Sequence, residues 1–175
     1  MNPTRSKGLR VPMLGLVAIM LSLSGIAIAG ELRKPSGPVL LTVTGKIARA
    51  NGDGAALFDE EMLSALPQHR IVTRTPWTDG IKLFEGIRLK ALLDEVAVKG
   101  SVLRAEGING YRIDIPVSDA DNFGVLIALR MDGERLLRRD KGPLWIVYPR
   151  DSVPAVRDER YDSRWVWQLD KIEVR

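Results

Sequence analysis

Gly142-Pro143-Leu144-Trp145-Ile146-Val147-Tyr148-Pro149 sets five consecutive apolar residues between two prolines. A strand with one wet face alternates apolar and polar side chains. An unbroken run reads instead as a strand buried on both faces. The charged turn Arg138-Arg139-Asp140-Lys141 leads into it. Gly142 allows backbone N–H groups to approach a partner closely, and Pro143 fixes the entry into the strand. Charge and free backbone donors thus stand at the mouth of a rigid core element, where a binding site is expected. The plainer reading is a well-punctuated core strand behind a solvated basic turn. Residues 125–131 form a second near-continuous apolar run, expected beside residues 144–148 at the centre of the main sheet.

Outward from this pair the chain alternates short strands and short helices. Residues 37–50 suggest a strand that buries Val39, Leu41, Val43 and Ile47 and bends at Gly45. Asp59 is placed to cap a helix that buries Met62, Leu63 and Leu66 and stops at Pro67. Residues 68–75 alternate as a strand, with Ile71 and Thr73 on one face and Val72 and Arg74 on the other. Thr75-Pro76-Trp77-Thr78-Asp79-Gly80 reads as a loop, its indole either plugging the core edge or lining a pocket. A short strand over residues 81–85 follows, then Gly86 and a helix burying Leu89, Leu92, Leu93 and Val96. Asn109-Gly110 predicts a two-residue hairpin turn between strands at 101–108 and 111–115. Ser118 is placed to cap a single helical turn. Asp132-Gly133 turns the chain, and residues 165–174 form the closing strand. The pattern predicts one α+β domain with a mixed sheet.

The first 29 residues differ. Arg5, Lys7 and Arg10 precede an uncharged apolar run to Ile28, and Ala27-Ile28-Ala29 has the small-x-small cleavage pattern. This predicts a signal peptide over 1–29, a domain over 30–175, and a periplasmic location without membrane association once the signal is removed. An uncleaved anchor is the alternative, favoured by Arg33 and Lys34 just beyond the segment. Residues 1–29 hold three of the 26 basic residues and none of the 22 acidic ones, so 23 basic residues remain and the net charge falls from +4 to +1. That balance gives no electrostatic case for nucleic acid. The chain has no Cys and one His, His69. It therefore has neither a thiolate nucleophile nor a multi-histidine metal site. No phosphate-binding glycine loop follows a strand.

Four segments, in order, resemble the sulfite-oxidase-type molybdopterin-binding domain. They are Trp77 and Gly80 with residues 84–93, then residues 125–136, residues 142–149, and Leu169-Asp170-Lys171-Ile172-Glu173-Val174. The resemblance covers most of residues 38–175. It implies a mixed α+β fold with a central pocket for an organic molybdenum cofactor, and so an oxidoreductase-type domain.

The resemblance also marks departures. The family's molybdenum-binding cysteine falls in the loop that here reads Thr75-Pro76-Trp77, and a hydroxyl is a poor substitute for a soft thiolate. Two basic positions that hold the pterin phosphate fall at Trp145 and Trp167, and an indole has one N–H donor and no charge. Arg130, Arg138, Arg139, Lys141 and Arg164 are the cations available to replace them. The cofactor-binding candidates are therefore Thr75, Trp77, Arg130, Arg139, Lys141, Trp145 and Trp167. Molybdopterin is implied by the resemblance, with molybdenum ligation in doubt. Three readings stand: an exported molybdopterin oxidoreductase; a cofactor-free relative whose tryptophans line or fill the old pocket and bind a small ligand or partner protein; and a structural accessory domain of the cell envelope. The Thr75–Gly80 loop and the Arg139–Gly142 turn are expected to border one cavity, with an indole facing a cation. Such a cavity suits a flat or anionic ligand.

Overall fold

Two five-stranded sheets hold the described residues together. This computed structural model describes residue 1 and residues 32–175. The expected signal peptide, residue 1 apart, lies outside the described residues. Residues 32–175 lie in one compact unit. Among the described residues, no helix is long and apolar enough to cross a membrane.

In the first sheet, β1 (Leu41–Gly45) runs parallel to β10 (Leu169–Val174), and the other pairings are antiparallel. The sheet is therefore mixed, as expected. β10 sits between β1 and β5 (Val102–Gly107), with β2 (Ala56–Phe58) and β6 (Arg112–Pro116) at the two edges. Leu41 and Val43 are buried as expected, but Val39 is exposed, because β1 begins only at Leu41. The β5–β6 turn is longer than expected. Gly107 N–H donates to Tyr111 O, leaving the three residues 108–110 in the loop, with Gly110 at φ 81°. A three-residue hairpin places its glycine at that left-handed position, so Asn109-Gly110 ends the turn instead of forming all of it.

In the second sheet, β3 (Gln68–Thr75) buries Ile71, Thr73 and Thr75, with Val72 and Arg74 exposed. The expected loop at residues 75–80 is a tight hairpin: Thr75 pairs with Thr78, and β4 runs unbroken over Thr78–Arg88. Gly86 does not start a helix. It lies inside β4 at a register shift, where an added Cβ would sit 2.1 Å from Ile127 O. The helix α2 (Leu89–Glu95) begins three residues later and buries Leu89, Leu92 and Leu93, with Val96 behind them. The helix α1 (Glu60–Ala65) is capped by Asp59, whose side chain accepts from Met62 N–H at 2.8 Å. Ser118 lies within α3 (Ser118–Asn122) and does not cap it; Val117 precedes the helix without a side-chain cap.

The two apolar runs lie side by side. β7 (Leu126–Met131) pairs antiparallel with β9 (Trp145–Val147), in the register Leu126–Val147, Ile127–Ile146 and Ala128–Trp145. β4 lies on the other side of β7, and β8 (Glu134–Arg135) extends the β9 side. Leu144, Trp145, Ile146, Val147 and Tyr148 are all buried. The closing strand is shorter than expected. Residues 165–168 form an irregular segment tied to β9 by a single Trp145–Trp167 bridge, and Gln168 takes a positive φ before β10 begins.

Candidate functional site

The β3–β4 hairpin presents Trp77. Thr75 Oγ1 accepts from Trp77 N–H at 3.0 Å and shares a 2.8 Å hydrogen bond with Thr78 Oγ1, so its oxygen is occupied in holding the turn. The Trp77 ring lies 5.8 Å from that of Trp165 and 5.4 Å from that of Trp167, centroid to centroid. It is half-buried, and it serves both as a core-edge plug and as a pocket wall. With Trp165, Trp167 and Tyr111 it borders a cleft of about 270 Å³, whose polar lining is Asn109, Asp162 and Ser163.

Three segments build this cleft, and each is fixed by its own bonds. Asn109 Oδ1 accepts from Tyr111 N–H at 3.0 Å, which sets the β5–β6 turn. Tyr111 Oη donates to Ser163 O at 2.8 Å and joins that turn to the 3-10 segment Glu159–Arg164. Asp162 pairs with Arg150. Behind the segment, Arg164 Nη1 and Tyr148 Oη both donate to Asp119 Oδ2, at 2.6 Å and 2.8 Å. Asp119 and Tyr148 are buried. Burial first, and the Asp119 carboxylate second, push the Tyr148 phenol well above its ordinary range. It therefore stays a neutral donor. The Arg164 guanidinium also lies 4.6 Å from the Tyr161 ring centroid.

Of the candidates named from sequence, four meet in one aromatic cluster. Trp77 and Trp167 line the cleft. Trp145 is fully buried, edge-on to Phe84 at 5.3 Å and 6.3 Å from Trp165. Lys141 Nζ lies 5.2 Å from the Trp167 centroid and 5.6 Å from that of Trp145. Thr75 stands in the hairpin turn beneath Trp77. Arg130 is elsewhere, lining a hollow with His69, Arg70 and Glu85. Arg139 is exposed, with its nearest carboxylate, Asp140, at 3.9 Å.

The expected single cavity is instead two. Trp77 lines the cleft, whereas Arg139 and Lys141 line a separate hollow of about 520 Å³ beside Leu136 and Leu137. The Trp167 indole touches both Trp77 and Lys141 and fills space that a shared cavity would need. Nor does Gly142 offer a free donor, because its N–H is bonded to Leu137 O at 2.9 Å.

Sequence reasoning missed Asn109, Tyr111, Asp162, Ser163 and Trp165 as lining residues. Tyr111 and Trp165 carried a signal: each is a large aromatic next to a turn or loop. The polar three carried none, since Asn, Asp and Ser are ordinary turn residues.

The model of the oxidoreductase molybdopterin binding domain family matches residues 60–174 of this chain. The chain belongs to that family. Comparison with curated proteins gives no match. Family membership suggests molybdopterin, and the residues can be tested against it. The chain contains no Cys, and the Thr75 hydroxyl in its place is already bonded twice. Among the described residues, no cluster of three or more His, Cys, Asp or Glu is placed to hold a metal ion. The charged group in the cleft lining is the carboxylate of Asp162, already paired with Arg150, and no Lys or Arg lines the cleft to hold a phosphate. These residues do not fit a thiolate-ligated molybdenum centre, and the cleft does not fit an anionic cofactor tail.

Proposed function

We propose that this member of the molybdopterin-binding domain family is an exported domain that holds a small molecule in its tryptophan cleft. In this reading no protein ligand binds molybdenum. The observation that carries the reading is the state of the hairpin Thr75–Thr78. Its oxygens are turned to each other, while Trp77 beside them closes an aromatic cleft that is open to solvent. A concave, mostly apolar site with a few convergent polar groups is what small-molecule recognition requires. The buried Tyr148–Asp119–Arg164 group supports it by fixing the wall that carries Asp162 and Ser163. Export rests on the basic start, the apolar run and the Ala27-Ile28-Ala29 pattern.

Family membership favours a second reading, a cofactor-loaded oxidoreductase. One experiment separates the two. The protein is purified from a host that makes molybdopterin, and its molybdenum and oxidised-pterin fluorescence are measured per chain. The proposed reading expects both far below one equivalent, because the chain has no thiolate and the Thr75 hydroxyl is already engaged in two hydrogen bonds. Stoichiometric molybdenum and pterin would overturn it and establish the loaded enzyme.

A further inference from the structure

The strand β3 has an open edge. Its eight residues pair with β4 on one side, and among the described residues no strand and no backbone hydrogen bond meets residues 68–74 on the other. Of the other outer strands, β2 has three residues and β8 two, and the turn before β6 is tied through Tyr111 to the 3-10 segment. Arg74 N–H donates to Asp151 Oδ2 at 3.1 Å, so the backbone of Arg74 faces away from β4. The β3–β4 register does not shift between residues 68 and 74. By the alternation of an antiparallel pair, the N–H and C=O groups of Val72 and Arg70 therefore face the same way as those of Arg74. Val72 is 60% exposed, and the Arg70 side chain is 74% exposed. An unpaired edge of this kind is a template for another strand.

The chain itself shows what this edge accepts. Asp151 takes both the outward N–H of Arg74 and its Nη1, at 3.1 Å and 3.2 Å. Four residues along, Arg70 repeats the combination of an outward N–H and an exposed guanidinium. Its Nε leans back on Glu85 at 2.8 Å. Glu85 stands opposite two arginines, Arg70 on β3 and Arg130 on β7. Among the described residues, Arg130 bonds the Gly133 carbonyl and no carboxylate. A carboxylate arriving at Arg70 leaves Glu85 to Arg130 and balances the row. A second copy of the chain fits the edge poorly. Pairing β3 with itself about Ile71 brings the two Arg70 side chains to diagonal positions on one face, where like charges repel.

We infer that the β3 edge is a docking strand for an extended acidic segment of a partner protein, which adds one strand to the second sheet. Backbone bonds to Arg70 and Val72 supply the affinity, and carboxylates at alternate positions, facing Arg70, supply the selectivity. The surface shares no lining residue with the tryptophan cleft.

The test titrates a labelled, end-capped peptide of alternating Glu and Val into the purified protein, against the same peptide with Lys in place of Glu. Binding is read by fluorescence anisotropy, and exchange of the Arg70 and Val72 amides by NMR. At low salt the acidic peptide is expected to bind saturably, to slow exchange at both amides, and to bind about tenfold more tightly than the basic one. Arg70→Glu is expected to reverse that preference with little change in the thermal melt. Val72→Pro removes one outward donor and leaves the bonds to β4 in place, and is expected to weaken binding about tenfold. If Val72→Pro does not fold, charge reversal at Arg70 still decides. Equal binding of the two peptides overturns the inference, as does acidic binding that leaves exchange at Arg70 and Val72 unchanged. No saturable binding of the acidic peptide up to about 1 mM also overturns it. Concentration-dependent dimerisation that slows the same two amides overturns it too, and assigns the edge to a second copy.

Discussion

Replacing Arg164 by methionine strips the buried Asp119 carboxylate of its cation while keeping an unbranched side chain against Tyr161. Asp119 is 4% exposed and the Arg164 side chain 23%, so water cannot fully take over the lost bond. Removing one partner of a buried ion pair costs roughly 3–5 kcal/mol. Tyr148 still donates to the carboxylate, and Arg164 is partly solvated, so the low end applies, about 3 kcal/mol. For a domain of this size that is a fall in Tm of roughly 6–12 °C. Calorimetry or circular dichroism melts measure it directly. The double variant Asp119→Asn/Arg164→Met removes the stranded charge, keeps an acceptor for Tyr148 and is expected to recover part of the loss. An Arg164→Met protein within about 1 kcal/mol of the parent would show that Asp119 is not desolvated, and would refute the claim that this group fixes the cleft wall.

Four further outcomes are expected. Gly86→Ala forces a methyl group toward Ile127 O and shifts backbone at the β4–β7 register break, costing about 1–3 kcal/mol by urea unfolding. A Gly86→Ala protein as stable as the parent would refute that close approach. Asp59 has its pKa lowered to about 2, first by Met62 N–H and then by Gly37 N–H. Its contribution to stability is therefore complete above about pH 4 and lost as pH falls toward 2, a limb that Asp59→Asn should flatten in melts taken across that range. Tyr148 is shifted the other way, so its contribution holds below about pH 10 and declines above it; Tyr148→Phe should remove that alkaline decline. Sequencing the N-terminus of the exported form is expected to give a start at Gly30, and an intact Met1 in the membrane fraction would refute cleavage.

Much of the fold could be read from the sequence because its strongest signals are local. Residues 144–148 and 125–131 are too apolar to show a face to water, and they do pair. Leu89, Leu92 and Leu93 have helical spacing and share a buried face. Boundaries failed where a tertiary neighbour decides the backbone. Gly86 reads as a break, yet the neighbouring strand β7 carries β4 straight through it. Residues 165–168 read as strand, yet the partner that would extend their ladder is only the single bridge to Trp145. The site was half legible for the same reason. Indoles at Trp77, Trp145 and Trp167 stand out in any sequence, but whether each lines, fills or supports depends on non-local packing. Trp145 proved to be core and Trp77 a wall. The basic turn at Arg139 looked like the opposite wall only because sequence order says nothing about the Trp167 ring that touches both Trp77 and Lys141.

The position of β10 has a consequence for how the chain is made. Its residues, Leu169–Val174, follow those of every other described strand in the chain, yet they form the middle strand of the first sheet. Until they arrive, β1 with β2 and β5 with β6 are two separate hairpins with unpaired edges, each marginal alone in water. The sheet cannot close progressively behind the growing chain. It must close late, across a sequence separation of more than a hundred residues between β1 and β10, which is slow by loop-closure entropy. Removing the six residues of this strand should therefore leave a chain that does not fold, because the remaining hairpins have no common partner.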